Sequence, residues 1–292
     1  MDMKISQLQL QAFEQIARSG SLTKAAVVLN LTQSALSHRL ANLERELETA
    51  LFIRHGMGVN LTERGVRLLK YCQLQSQLEE EVLAEIGHAS GKNVNLSGSL
   101  RIGGTSSLIR SVVLPAVSNL LRKNPEVRLE LVTRELKELP HLLANGEVDF
   151  LVTSNKVNAP GLTEAPLGNE IYVLAAKSKG PEIEDVYLDH DISDLTTFEF
   201  LKHNGQKDRL INRSFMDDIY GIIDGIEEGL GRAVVPVHLI SDRTKIKTIR
   251  GFKPLKVPVF LYRLRQPYYT RLHTVAADAL LTEIPGRLRS GT

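Results

Sequence analysis

What this chain can fold into is limited most by a change of texture near residue 90. From Leu8 to His88 apolar residues recur at helical spacing without a proline, whereas beyond Leu100 short β-branched runs alternate with amphipathic stretches, as in a βα protein. Between them Ala89 to Ser99, reading ASGKNVNLSGS, is rich in Gly, Ser and Asn and lacks apolar periodicity, which predicts a hinge. The 292 residues, 42% of them hydrophobic, suffice for about two domains that each bury a core. One cysteine, Cys72, excludes an intramolecular disulfide framework or a multi-cysteine zinc cluster, and it reads as a small buried hydrophobe in a reducing compartment. No run approaches the roughly 18 apolar residues of a membrane span, and Met1 to Phe13 alternates polar and apolar residues where a signal peptide has an apolar block. A soluble, cytoplasmic protein with no membrane partner is expected.

The N-terminal segment is punctuated into helices. Leu10, Phe13, Ile16 and Ala17 share a face, and Ser19-Gly20 ends that helix. Ser21 is placed to cap a second helix, Leu22 to Leu29, whose small Ala25 and Ala26 allow a close crossing. After the turn Asn30-Leu31, Thr32 caps a third helix in which Leu36, Leu40, Leu43 and Leu47 recur at steps of three or four. Two helices joined by a short turn make a helix-turn-helix. The free face of the third helix carries Ser34, Ser37, His38 and Arg45, with Gln33 in its first turn. Short polar groups let a recognition helix lie close to base edges in the major groove. Leu51 to Leu61 then reads as a small β-wing with Arg54 and His55 as phosphate candidates. Thr62 caps a helix of about 25 residues whose stripe Leu68, Tyr71, Leu74, Leu78, Val82 and Ile86 needs a partner, the same helix of a second copy being the simplest.

Several strings here resemble the N-terminal signature of LysR-type transcriptional regulators: Ser21-Leu22-Thr23-Lys24-Ala25-Ala26, Leu31-Thr32-Gln33-Ser34-Ala35-Leu36-Ser37, Leu43-Glu44-Arg45-Glu46-Leu47, Leu51-Phe52-Ile53-Arg54 and Leu61-Thr62-Glu63-Arg64-Gly65. Arg64 departs from the small residue usual before this glycine, and an extra solvent or phosphate contact is expected there. Further along, Leu142 to Val152 resembles the family's strand entry with Gly-x-x-Asp, and Ile226 to Pro236 its Gly-x-Gly crossover into a buried strand. The resemblance implies an α/β chain: a winged helix-turn-helix (1–65), a linker and dimerisation helix (66–89), a hinge (90–99) and an effector-binding domain (100–292). That domain would form two subdomains resembling periplasmic binding proteins, about 100–162 with 265–292, and 163–264. It also implies DNA contacts by Thr23, Thr32, Gln33, Ser34, Ser37, His38, Arg54 and His55, a homodimer or homotetramer on promoter DNA, and room for a contact with RNA polymerase.

Chain physics points to the same cleft. Leu100 to Gly103 reads as a strand, Gly104-Thr105-Ser106-Ser107 as a hydroxyl-rich turn, and Leu108 to Leu121 as a helix, the arrangement in which open parallel sheets bind anions. Strands are also expected at Val127 to Thr133, Phe150 to Thr153 and Phe198 to Lys202, with Val257 to Arg263 returning a strand to the first subdomain. Their carboxyl ends supply Thr105, Ser106, Ser107, Thr133, Arg134, Ser154, His203 and Asn204 as effector-binding candidates. The hydroxyls with Arg134 and His203 favour an anionic metabolite. No Ser/His/Asp or paired-carboxylate constellation rises above chance, so neither an enzyme, a cofactor nor a metal is expected, and the alternative is a solute-binding module without gene-regulatory output.

The charge balance narrows the binding mode. The whole chain carries only +2, and through Lys70 nine basic residues face six acidic ones, a net of +3. DNA affinity then rests on a few placed phosphate contacts multiplied by dimerisation, with moderate salt dependence.

Overall fold

The computed structural model describes residues 5–56, 58–87, 96–207 and 210–289. Its N-terminal head packs α1 (Gln7–Ser19), α2 (Leu22–Val28) and α3 (Gln33–Glu46) around Phe13, Ile16, Ala25, Ala26, Leu36, Leu40 and Leu43, all buried. The caps act as the sequence predicts: Ser21 Oγ accepts from Lys24 N and Thr32 Oγ1 from Ala35 N. β1 (Phe52–His55) and β2 (Gly58–Leu61) pair antiparallel as the wing. Thr62 Oγ1 accepts from Gly65 N at 3.0 Å and donates to Ala50 O at 2.9 Å, which fixes the start of α4 (Glu63–Gly87). On α4 Leu68 packs into the head core, while Tyr71, Leu78, Val82 and Ile86 stay exposed. Cys72 is buried, and that burial pushes its thiol up to about 12, so it remains a protonated apolar filler.

Most of the expected hinge lies outside the described residues. Its last two, Gly98 and Ser99, already belong to β3 (Gly98–Gly104), paired with Val127 and Arg128. A helix α5 follows: Ser106–Leu108, a π-turn Ile109–Val113, then Leu114–Lys123. Pro115 has no N–H to return to the Ser111 carbonyl, so the regular ladder is interrupted there. After β4 (Val127–Thr133), α6 (Leu139–Ala144) and β5 (Phe150–Thr153) comes a long strand, β6 (Leu162–Lys177). The second lobe adds β7 (Val186–Asp189), α7 (Thr196–His203), β8 (Asn212–Phe215), α8 (Ile219–Glu228), β9 (Ala233–Pro236) and β10 (Ile246–Thr248). A second long strand, β11 (Leu255–Leu264), leads to α9 (Arg271–Arg289). One sheet runs β10-β6-β11-β5-β3-β4, with β9 also on β6, and β7 pairs β8 in a separate parallel ribbon.

Two expectations are corrected here. The segment Phe198 to Lys202 is not a strand but part of α7, because Thr197, Phe200 and Leu201 are buried at helical spacing. The lobes also do not divide at residues 162/163 and 264/265. β6 and β11 pair along their whole joint length and serve both lobes: Leu162 to Pro166 pairs with the half of β11 that joins β5, and Tyr172 to Ala175 with β9. The change occurs at a bulge, where Val259 pairs Gly168 but Phe260 pairs Pro166, leaving Leu167 extra. Gly168 has φ +126°, a value that suits only glycine.

The first lobe is tied together by Asp149 of the Gly-x-x-Asp string. Its carboxylate accepts from Arg101 N at 2.8 Å and Arg101 Nη2 at 2.7 Å, and lies 3.5 Å from His273 Nε2 of α9. Burial alone would raise this carboxyl, but the His273 hydrogen bond and the Arg101 charge outweigh it and hold the group at about 2. An unfolded Asp titrates near 3.9, so the contribution is complete above roughly pH 4 and is lost as pH falls through about 2. Asp149→Asn leaves a buried Arg101 without its counter-charge, and denaturant titration at pH 7 is expected to show a loss of about 3 kcal/mol that shrinks towards pH 2.

Candidate DNA-binding face and effector cleft

The leucine stripe of α3 decides which side chains remain free. With Leu36, Leu40 and Leu43 turned inward, Gln33, Ser34 and His38 are exposed and Ser37 is half-buried on the opposite side. Thr32 Oγ1, already the cap of this helix, lies 3.0 Å from Ser34 Oγ. Further along the same face Arg45 Nη2 donates to Asn42 Oδ1 at 2.7 Å, and Asn42 Nδ2 lies 3.2 Å from His38 Nδ1. Thr23 is exposed on α2, and Arg54 and His55 on β1 of the wing. The wing is docked on the turn before α2: Val59 N donates to Gly20 O at 3.0 Å, and a Cβ on Gly58 (φ +152°) would come within 2.4 Å of that oxygen.

In the effector-binding region the strand register gathers the first lobe's candidates at one edge. Gly104 pairs with Thr133 on one side and Val152 on the other, so Thr105, Ser106, Ser107, Thr133, Arg134 and Ser154 follow three adjacent carboxyl ends. Thr105 Oγ1 and Ser107 Oγ are 3.1 Å apart. His203 and Asn204 do not join them. They end α7, where helix direction carries them to the opposite end of the lobe, and Asn204 is committed to Phe200 O, Lys253 O and Lys253 N. The preference for an anionic ligand therefore keeps Arg134 but loses His203.

The second lobe's wall is made instead by residues after β7 and β8. Tyr220, at the start of α8, donates to Ser106 O at 3.4 Å, and the Arg110 guanidinium stacks 3.6 Å from its ring centroid. Burial pushes the Tyr220 phenol up, so it stays a donor. His190 Nε2 lies 4.0 Å from Glu135 across the cleft. Deeper, Ser111 Oγ donates to Ser107 O at 2.6 Å, so it must accept from His238 Nδ1 at 2.7 Å, while His238 Nε2 faces Glu170 Oε1 at 2.9 Å. Glu170 and His238 of this Ser–His–Glu chain are buried and Ser111 is half-buried, its proton already committed to a carbonyl. Periodicity does not reveal the contacts between elements, since they join residues 55 or more positions apart; only the Asp218 cap ahead of Tyr220 and the Ser111–Ser107 bond are local.

Comparison with known proteins gives the identity. A family model described as bacterial regulatory helix-turn-helix protein, lysR family, matches residues 8–66, and one described as LysR substrate binding domain matches residues 94–285. The chain belongs to the LysR family. It is similar to the HTH-type transcriptional regulator GltR of Bacillus subtilis, 30% identical over 258 residues, or 83% of each chain. It is also similar to a probable RuBisCO transcriptional regulator of Cyanophora paradoxa, 30% identical over 308 aligned positions covering 97% of this chain and 93% of the relative. Its fold is similar to ArgP from Mycobacterium tuberculosis (TM-score 0.72, 21% identity, 96% of each chain) and to full-length LysG from Corynebacterium glutamicum with bound effector Arg (0.68, 20%, 97% and 98%). DarR of Vibrio fischeri in complex with DNA gives a TM-score of 0.54 at 16% identity over 96% and 99% of the two chains. This LysR-type transcriptional regulator thus combines a regulatory helix-turn-helix head with a substrate-binding domain. Among the described residues no helix is long and apolar enough to cross a membrane.

Tyr220 makes the cleft's closed form testable. Tyr220→Ala removes one hydrogen bond and one cation–π contact between the lobes, together worth about 1–2 kcal/mol. Backbone amides of residues 105–107 are expected to exchange several-fold faster in the ligand-free variant, with global stability little changed.

Proposed function

We propose that two copies of this LysR-type regulator join through the exposed stripe of α4 and present two α3 helices to an interrupted palindrome in promoter DNA. The observation that carries the reading is the free face of α3, where Gln33, Ser34, Ser37 and His38 project from the N-terminal half of a helix whose opposite face is locked into the head core. Thr23, Thr32, Arg54 and His55 would add contacts to the DNA backbone. A dimer of dimers is the assembly proposed on DNA, in the cytoplasm, with its bound heads near RNA polymerase.

The effector is proposed to lie between the lobes, its anionic group on the Thr105–Ser107 hydroxyls and N–H groups beside Thr133, Arg134 and Ser154. Binding there displaces or replaces the Tyr220 contact and so shifts lobe closure. Closure reaches the head through α4, because Glu81 Oε1 accepts from Arg271 N at 3.1 Å and Glu81 Oε2 from Tyr268 OH at 2.7 Å at the start of α9. The domain boundaries follow: head to about residue 65, linker helix to about 89, effector-binding domain from β3 onward. No turnover is assigned to the cleft, since in the Ser111–His238–Glu170 chain the serine hydroxyl donates to the Ser107 carbonyl and not to the histidine.

Ser34→Ala and Ser37→Ala should each lower the ratio of operator to non-specific binding by roughly tenfold at fixed salt while leaving the circular dichroism spectrum unchanged. An unchanged ratio in both variants would overturn the assignment of α3. For the effector, a thermal-shift screen of carboxylates, amines and neutral metabolites should raise Tm with carboxylate-bearing compounds, and hits confined to neutral or cationic compounds would sink the anionic preference.

A further inference from the structure

We infer that Asn42 fixes which nitrogen of His38 carries the proton, and thereby makes His38 a hydrogen-bond donor towards DNA that discriminates bases by their acceptor edges. The inference rests on the reading of α3 as the helix that enters the major groove. Residues 38, 42 and 45 lie four and three apart on one stripe of α3, turned away from Leu36, Leu40 and Leu43. A guanidinium has donors only, so the 2.7 Å contact from Arg45 Nη2 requires the oxygen of the Asn42 amide to face Arg45. The amide nitrogen is then turned to His38 Nδ1, 3.2 Å away. That nitrogen also has donors only, so Nδ1 must accept, and the proton of the neutral ring sits on Nε2, the ring nitrogen that Asn42 leaves free on an exposed side chain.

The consequence is chemical selectivity. An Nε2–H group finds an acceptor on guanine (O6, N7), adenine (N7) or thymine (O4), whereas the major-groove edge of cytosine offers its N4 amino donor. Asn42 is a positioning residue: it need not touch DNA, and half-buried between two longer side chains it orients the one that does. Arg45 has further N–H groups free of Asn42 for a phosphate.

The test uses the full chain and a randomised double-stranded DNA library at fixed salt, with bound molecules sequenced for the wild type, Asn42→Ala, His38→Ala and the double variant. The wild type should select a motif with one position per half-site at which the contacted base is at least about fivefold depleted in cytosine. His38→Ala should abolish that depletion, Asn42→Ala should relax the same position and no other, and the double variant should match His38→Ala. A motif whose every position is untouched by Asn42→Ala, or by His38→Ala, overturns the inference while leaving the DNA-reading role of α3 intact. A wild-type chain that selects no motif overturns both. Independently of DNA, long-range 1H–15N spectra of the neutral His38 ring should show Nδ1 without a proton; a proton on Nδ1 also overturns it.

Discussion

The antiparallel pairing of β6 with β11 is the constraint on which the effector-binding half depends. These strands hydrogen-bond to each other across both lobes, and each also pairs with strands belonging to one lobe, so the main sheet is shared by the two lobes and only the β7–β8 ribbon stands apart from it. Any change in lobe angle must be absorbed within this ribbon. The irregular place in it is the bulge at Leu167, beside a glycine at positive φ and a proline, Pro258, that has no N–H for the ladder. Bending is cheapest where ladder bonds are already missing and the backbone tolerates more than one conformation.

Buried polar chemistry is concentrated around that ribbon. Glu170, two residues beyond Gly168, holds His238, which holds Ser111 and through it the turn that opens the cleft. At the other end of the first lobe, Asp149 binds Arg101 of β3 and His273 of α9. A buried charge is stable only when fully partnered, so each cluster requires its elements to arrive in register. The π-turn in α5 fits the same logic: Pro115 interrupts the ladder one turn beyond the hydroxyl that His238 engages.

The head works under a different constraint, scarcity of charge. With a net of +3 through Lys70 it has little non-specific attraction for DNA, so orientation matters more than field strength. The caps at Ser21, Thr32 and Thr62 set where each helix starts, and Glu44 Oε1 accepts from Leu51 N at 2.7 Å to hold the wing against α3. Short side chains on a rigidly seated helix then carry the reading of sequence.

The sequence by itself determined the elements whose cause is local. Ser/Thr caps, the Leu36–Leu40–Leu43 stripe, the strands Val127–Thr133 and Phe150–Thr153 and the family strings were all legible, because periodicity and capping act within a few residues. The segment Phe198 to Lys202 misled because so short a mixed run fits strand or helix equally, and burial of Phe200 against the second lobe's sheet, with Leu201 buried beside it in sequence, selected the helix, taking His203 and Asn204 away from the cleft. Tertiary structure alone decided the lobe boundary, the Tyr220–Arg110 closure, the Ser111–His238–Glu170 chain and the Glu81 tie between α4 and α9. Each joins residues tens to hundreds of positions apart, and a side chain's distant partner leaves no periodic trace in its own neighbourhood.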